Sequence, residues 1–188
     1  MIYLAATSPR RKTLLKKAKI TFRILKPAYK EIGHLRGSPS KIVRVHAVGK
    51  ANSCLKRVKN GIILAADTIV YLKGEIIGKP RNMKKAREML GKLQGKWHTV
   101  YTGVAIFKTN PEKPVKKTVF VTQTNVRLKA LTPKGIKNYF KKVNPLDKAG
   151  AYAIQSPHGG IVRGVKGLFS NAVGLPIEKV LPKLRRNG

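Results

Sequence analysis

Ile62-Ile63-Leu64-Ala65-Ala66-Asp67-Thr68-Ile69-Val70-Tyr71-Leu72 is the stretch whose reading decides the fold. Five consecutive apolar residues, 62–66, read as a strand buried on both faces, the pattern of a parallel sheet covered by helices. Asp67 closes that run, and Thr68 to Leu72 continues extended to a turn at Lys73-Gly74. Ile76-Ile77 then answers it as a hairpin. Open α/β sheets place ligands at the ends of such strands, which makes Asp67 the first candidate for chemistry. The plainer reading of a lone Asp after a strand is a turn or a cap.

Working outward, Ile2 to Ala5 is a short apolar run. Thr7-Ser8-Pro9 punctuates it, and Arg10 to Ala18 carries Leu14-Leu15 at helical spacing, so this segment reads strand–turn–helix. Ile20 to Leu25 reads as a second strand. Ser38-Pro39 opens a helix expected to reach about Val58, with Ile42, Val43, His46, Ala47 and Ala51 on one face. Beyond the hairpin, Asn82 caps a helix to about Leu93. Thr99 to Phe107 and Val115 to Leu128 are long alternating runs separated by Asn110-Pro111, expected to be antiparallel neighbours. Pro133 to Val143 is a helix. The Gly-rich region from Asn144 to Gly174 predicts short strands near 151–154 and 160–165, and Pro176 to Leu184 closes as a helix. Strands and helices alternate first and long strands pair later, which predicts a mixed α/β sheet covered by helices. No repeat or linker divides residues 1–188, so a single domain is expected.

The chain has 188 residues and 41 Lys and Arg against 7 Asp and Glu, a formal net charge of +34. Its charged fraction, 26%, is ordinary; its sign balance is not. The cations are spread along the chain, and several stand where helices prefer acids, as in Thr132-Pro133-Lys134. The pattern reads as a positively supercharged version of a mixed-charge surface, with a natural nucleic-acid binder as the alternative. Either way, non-specific, salt-sensitive attachment to nucleic acid follows. Aromatic residues make up only 6% of the chain, without the basic–aromatic interleaving that stacks bases, so nucleic acid is not the expected physiological partner. Cys54 is the lone cysteine, which excludes an internal disulfide framework. No apolar run approaches a membrane span, and a cytoplasmic location is expected, with no membrane partner.

Besides Asp67, two other acids fall at element ends beside polar residues: Glu31, in a loop after the second strand, and Asp147, before Lys148-Ala149-Gly150. Ser8-Pro9-Arg10-Arg11 offers backbone N–H groups and two guanidiniums to a phosphate, although Ser8 as an N-cap with Pro9 at the first helical position is the plainer reading. Gly78-Lys79-Pro80 places another cation at a turn. No Walker loop occurs. His34, His46, His98 and His158 show no metal-ligand spacing and read as structural or exposed; Cys54 reads as a small core residue.

Taken together, these pieces resemble the Maf family of nucleoside triphosphate pyrophosphatases. The resemblance rests on Leu4-Ala5-Ala6-Thr7-Ser8-Pro9-Arg10-Arg11, Glu31, Lys50-Ala51, Ala66-Asp67-Thr68-Ile69-Val70, Gly78-Lys79-Pro80, Asp147 to Gln155, and Ser170-Asn171-Ala172-Val173-Gly174-Leu175-Pro176. It implies an α/β fold of two lobes with a central cleft, related to inosine-triphosphate pyrophosphatases. It also implies hydrolysis of a nucleoside triphosphate to the monophosphate and pyrophosphate with a divalent cation, Mg²⁺ or Mn²⁺. By resemblance, Asp67 is the catalytic base, Asp67 and Glu31 hold the metal, and Ser8, Arg11, Lys50 and Lys79 hold the triphosphate. Arg10, Thr68 and Gln155 match the branch acting on dTTP and UTP. The Gln155 amide can donate to O4 and accept from N3–H of uracil or thymine. The chain departs from the family at Ala6, Lys30, Gly49 and Ser156, where Ser, an acid, Glu and Gly are common; acids missing at 30 and 49 predict weaker metal affinity. Homodimerisation is left open.

Overall fold

The structure, a computed structural model, describes residues 1–31, 37–155 and 160–185. Seven strands form one mixed sheet: β1 (Ile2–Leu4), β2 (Phe22–Ile24), β3 (Gly61–Leu72), β4 (Glu75–Ile77), β5 (Trp97–Asn110), β6 (Lys113–Leu128) and β7 (Val162–Gly167). Their order is β2-β1-β3-β5-β6-β7, with β4 pairing to β3 off that path. The helices are α1 (Pro9–Lys17), α2 (Pro39–Asn52), α3 (Met83–Leu93), α4 (Pro133–Lys142), α5 (Phe169–Val173) and α6 (Ile177–Arg185). The expected mixed α/β architecture is the observed one.

β1 pairs in parallel with both β2 and β3, with Ile2 opposite Phe22 and Ile62. Helix α1 makes the β1–β2 crossover and α2 the β2–β3 crossover, as parallel neighbours require. β5 and β6 are sheet neighbours joined by two residues, a connection that permits only antiparallel pairing. At the β3–β4 hairpin, Lys73 and Gly74 both have positive φ, 45° and 89°. Two left-handed residues make the turn whose twist suits adjoining strands.

The chain divides into two compact units. One comprises Met1–Thr68, Thr102–Thr122 and the chain from Gly174; the other comprises Ile69–Tyr101 and Gln123–Val173. Strands β3, β5 and β6 each contribute to both. The first unit has a core rich in small residues, Ala5, Ala47, Ala51, Cys54, Ala65 and Ala105, with Val58, Ile63 and Phe107. Small side chains let α2 lie close to the sheet. At Gly103 a Cβ would stand 2.4 Å from the Val43 carbonyl oxygen of α2, so only glycine fits there. The second unit packs larger residues, among them Leu72, Leu90, Leu93, Val126, Leu128, Tyr139 and Tyr152.

Several sequence expectations are corrected. β3 is one continuous strand of 12 residues, so Asp67 lies inside it and is only 6% exposed, not at a strand end facing water. Pairing with β1 ends at Leu64 and pairing with β4 begins at Val70, leaving residues 65–69 beyond the reach of either strand. The local pattern of a strand end was present; the backbone simply runs on past it. Helix α2 stops at Asn52, short of Val58, and a separate 3-10 turn spans Leu55–Arg57. No strand forms at 151–154, where Gly150 and Ala151 both adopt positive φ. β7 starts at Val162, and α5 was not anticipated. His34, His158 and Ser156 lie outside the described residues.

Candidate active site

The site of the first unit is built on α2 and β3. Ser38 caps α2 by accepting from the Lys41 backbone N–H, and Pro39 sits in the first turn, where its missing N–H is not needed. Ile42, Val43, His46, Ala47, Lys50 and Ala51 form its buried face. His46 and Lys50, four residues apart, therefore project from the same side. With α2 drawn against the sheet at Gly103, Lys50 reaches β3. Its ammonium donates to Asp67 Oδ1 at 2.6 Å and to Glu31 Oε1 at 2.7 Å.

Burial differs among these three charges. Lys50 is 9% and Asp67 6% exposed, whereas the Glu31 side chain is 52% exposed. Lys50 and Asp67 are thus a buried ion pair, and Glu31 joins it from the solvent side. Lysine almost never tolerates such burial unpaired. Two carboxylates on one ammonium give it the partners it needs.

Next to Asp67, on the same strand, Thr68 receives a hydrogen bond from Arg11 Nη2 at 3.1 Å and shares one with Thr102 at 3.0 Å. Arg11 Nε donates to the Gly174 carbonyl at 2.8 Å. Burial pushes the Arg11 guanidinium below its ordinary range; the charge of Asp67 opposes that shift, Arg10 adds to it, and Glu31 opposes it again. Two of the four residues nominated as phosphate holders are thus already tied to protein groups, Lys50 to carboxylates and Arg11 to Thr68 and Gly174. Ser8 occupies the N-cap position of α1, yet its side chain makes no capping hydrogen bond, which leaves that hydroxyl uncommitted to the helix. Arg10, half-buried, stands in the first turn of α1.

The structure therefore brings together Glu31, Lys50 and Asp67, with Arg11 and Thr68 adjoining. Lys79 and Gln155 belong to the second unit, where both are exposed. The open groove lined by Lys12, Lys16, Ile20, Thr21, Phe22 and Ile24 includes none of the nominated residues. The sequence reading missed the pairing of Tyr29 with His46, whose hydroxyl and Nδ1 share a hydrogen bond at 3.0 Å. The i,i+4 spacing of His46 and Lys50 was the available signal. Burial pushes the Tyr29 phenol up, while Lys50 draws it down and Asp67 and Glu31 add to the rise.

The profile of the Maf-like protein family matches residues 1–187. The chain belongs to the Maf family. Among curated Maf relatives, it is 38% identical to the dTTP/UTP pyrophosphatase of Dictyoglomus thermophilum over 188 residues, all of this chain and 96% of that protein. It is 40% identical to the dTTP/UTP pyrophosphatase of Carboxydothermus hydrogenoformans, covering 100% and 98% of the two chains. The Bacillus cereus (strain G9842) protein of the same name is 42% identical over 185 residues, 98% of this chain and 94% of that one. Among solved structures, the nucleoside-triphosphatase / dITP/XTP pyrophosphatase of Mycobacterium abscessus aligns with a TM-score of 0.47 at 15% identity, covering 98% and 96% of the two chains.

Proposed function

We propose that this Maf protein hydrolyses dTTP and UTP to the nucleoside monophosphate and pyrophosphate, and that its two units work as one domain. The observation that carries this reading is the buried Asp67–Lys50–Glu31 cluster, in a chain about 40% identical over its full length to proteins named for that activity.

Phosphoryl hydrolysis asks a protein for little covalent chemistry; it asks for positioning and for neutralised charge. Asp67 orients the attacking water and accepts its proton as the bond to phosphorus forms and the α–β anhydride bond breaks. Lys50 fixes the orientation of Asp67 Oδ1, and Glu31 holds the other side of the ammonium. Arg11, with Ser8 and Lys79, holds the phosphate oxygens, the guanidinium being the group suited to bidentate contact. Thr68 keeps Arg11 aligned. Arg10, Thr68 and Gln155 set the preference for a pyrimidine base.

A divalent cation fits the donor set. Glu31 and Asp67 supply hard carboxylate oxygens that both reach the Lys50 ammonium, and Mg²⁺ is commonly bound by one or two carboxylates plus substrate phosphates. Among the described residues no group of three or more His, Cys, Asp or Glu gathers; in this reading Glu31 and Asp67 are the carboxylates that would hold the cation. Such a cation supplies charge neutralisation and easier deprotonation of water. With Lys30 and Gly49 where acids are common, this reading includes reduced metal affinity. Among the described residues no helix is long and apolar enough to cross a membrane. We read the protein as cytoplasmic, its supercharged surface as adhering non-specifically to nucleic acid, and homodimerisation as a property that sedimentation would decide.

The test is pyrophosphate release from UTP and dTTP with Mg²⁺, on protein freed of nucleic acid by nuclease and high salt. Asp67→Asn should abolish turnover and leave nucleotide binding largely intact; turnover within about tenfold of the parent would refute the assigned base. No release from the parent at all would leave a basic nucleic-acid-binding protein on an inactive scaffold.

A further inference from the structure

Glu31 ends a described segment that leaves the sheet after β2 and has no regular secondary structure from Leu25 to Glu31. The Glu31 side chain is 52% exposed, so its place on Lys50 is set in part by how that segment is held. The segment is laced to α2 and the turn after it. Arg57 Nη2 donates to the Lys26 carbonyl at 2.6 Å, Tyr29 bonds His46, and Glu31 accepts from Lys50. The Tyr29 ring lies edge-on to the His46 imidazole, with centroids 5.8 Å apart. It also lies on the bare backbone of Gly49, where a Cβ would fall 2.2 Å from Tyr29 Cε2. The ring therefore covers α2 between His46 and Lys50, one residue from the ammonium's own Cα.

We propose that Tyr29, seated on Gly49 and bonded to His46, is a positioning residue that holds Glu31 on Lys50 and so fixes the ammonium between Glu31 and Asp67. This rests on the reading of that cluster as the reaction centre. In this role neither residue needs to contact the reacting groups. It acts by restricting a loop, and restriction matters because displacements of about 1 Å at a reacting group can cost up to ~100-fold in rate. Gly49 is part of the device: any side chain there evicts the ring. His46 supplies the anchor, a polar atom on the same buried helix face as Lys50, oriented by its ring packing.

The experiment measures kcat and KM for UTP in Tyr29→Phe, Gly49→Ala, His46→Leu and His46→Asn, beside Asp67→Asn. Asparagine places an acceptor near the position of Nδ1, whereas leucine has none. Tyr29→Phe, Gly49→Ala and His46→Leu should each lower kcat roughly tenfold with KM changed less than about threefold, and His46→Asn should recover much of the loss. In a Tyr29→Ala background, Gly49→Ala should add nothing, because no ring remains to evict. Reductive methylation mapped by peptide mass spectrometry gives a readout free of activity. Lys50 should label several times faster in Tyr29→Phe than in the parent, with the melting curve still cooperative. Tyr29→Phe with kcat within twofold of the parent and unchanged Lys50 labelling overturns the proposal while leaving the reaction centre standing. Asp67→Asn at parental rate overturns both. Should Gly49→Ala fail to fold, the Tyr29→Phe and His46 variants decide alone.

Discussion

Replacing Lys50 by methionine keeps the shape of the side chain and removes its charge, and the structure sets how much that should matter. The ammonium lies 2.6 Å from Asp67 Oδ1 with both side chains about nine-tenths buried. At an effective dielectric constant of 20, a contact of that length is worth about 6 kcal/mol before desolvation. Much of this is offset by the cost of burying both ions, so the pair contributes little relative to an apolar substitute. Breaking it from one side is different: Asp67 stays buried without its partner, a loss of roughly 3–5 kcal/mol. At about 2–4 °C per kcal/mol for a chain of this size, Lys50→Met should melt roughly 6–20 °C below the parent. Glu31→Gln removes the other half of the cluster, but the Glu31 side chain is 52% exposed, and such a contact is worth about 0–1 kcal/mol. The double variant Lys50→Met/Asp67→Asn has no stranded charge and should recover a large part of the loss. Urea denaturation with thermal scans measures all three. A Lys50→Met protein no less stable than Glu31→Gln, or a double variant weaker than Lys50→Met, would show that no buried charge is left uncompensated and would refute the reasoning.

Three further outcomes are expected. Gln155→Glu should lower kcat/KM for UTP relative to CTP, because a carboxylate cannot donate to O4; competition assays would show an unchanged ranking if Gln155 does not read the base. Burial pushes the His98 imidazole down to about 4, against an opposing pull from the Lys96 backbone. The unfolded chain then holds the extra proton between about pH 6.5 and 4, so stability is full above that window and falls by about 3 kcal/mol as pH drops through it. His98→Gln should flatten this acid limb, as denaturation at pH 7 and pH 4 would register. Helix α4 has a working N-cap, with Thr132 accepting from the Gly135 N–H, yet no acid in its first turn. Lys134→Glu, with Lys137 three residues on, should stabilise by about 0.3–1 kcal/mol at low salt and less at high salt; destabilisation would contradict the reading of misplaced cations.

Much of the framework was legible because local signals and tertiary need agree. The apolar run of β3, the Lys73-Gly74 turn, and the caps at Ser38, Asn82 and Thr132 each specify their element by short-range chemistry. The failures share a cause. A strand's length depends on its neighbours, so no local residue announces that β3 continues through Asp67 while pairing passes from β1 to β4. At Gly150 and Ala151, apolar composition suggested a strand, but both φ angles are positive and the segment is held by a hydrogen bond from Gly150 N–H to the Gly78 carbonyl. In the site, residue types were readable and pairings were not. Lys50 reads as a cation free for phosphate until α2 is seen to press it between two carboxylates. Tyr29 carries no motif; its place is visible only in the space that Gly49 leaves empty.

Surface charge and site charge obey different rules in this protein. At +34 the field draws in a polyanionic triphosphate and, by the same sign, disfavours a free divalent cation. Exposed pairs such as Glu75–Lys92 and Glu88–Lys85 do little against that field, since each sits in water and is screened beyond about 8 Å at physiological salt. The Glu31–Lys50–Asp67 cluster, with Arg11 beside it, sets two carboxylates against two cations, so it is nearly neutral within a cationic shell. A neutral cluster has no charge with which to overcome the surrounding repulsion, so under the proposed metal-assisted reading a divalent cation would come bound to the triphosphate. Burial then decides what survives screening: added salt weakens the attraction that brings substrate in, while the Asp67–Lys50 contact, sheltered from solvent, keeps its strength. Loss of lysines from the surface should therefore change encounter and adsorption, and only changes around α2 and β3 should change the chemical step.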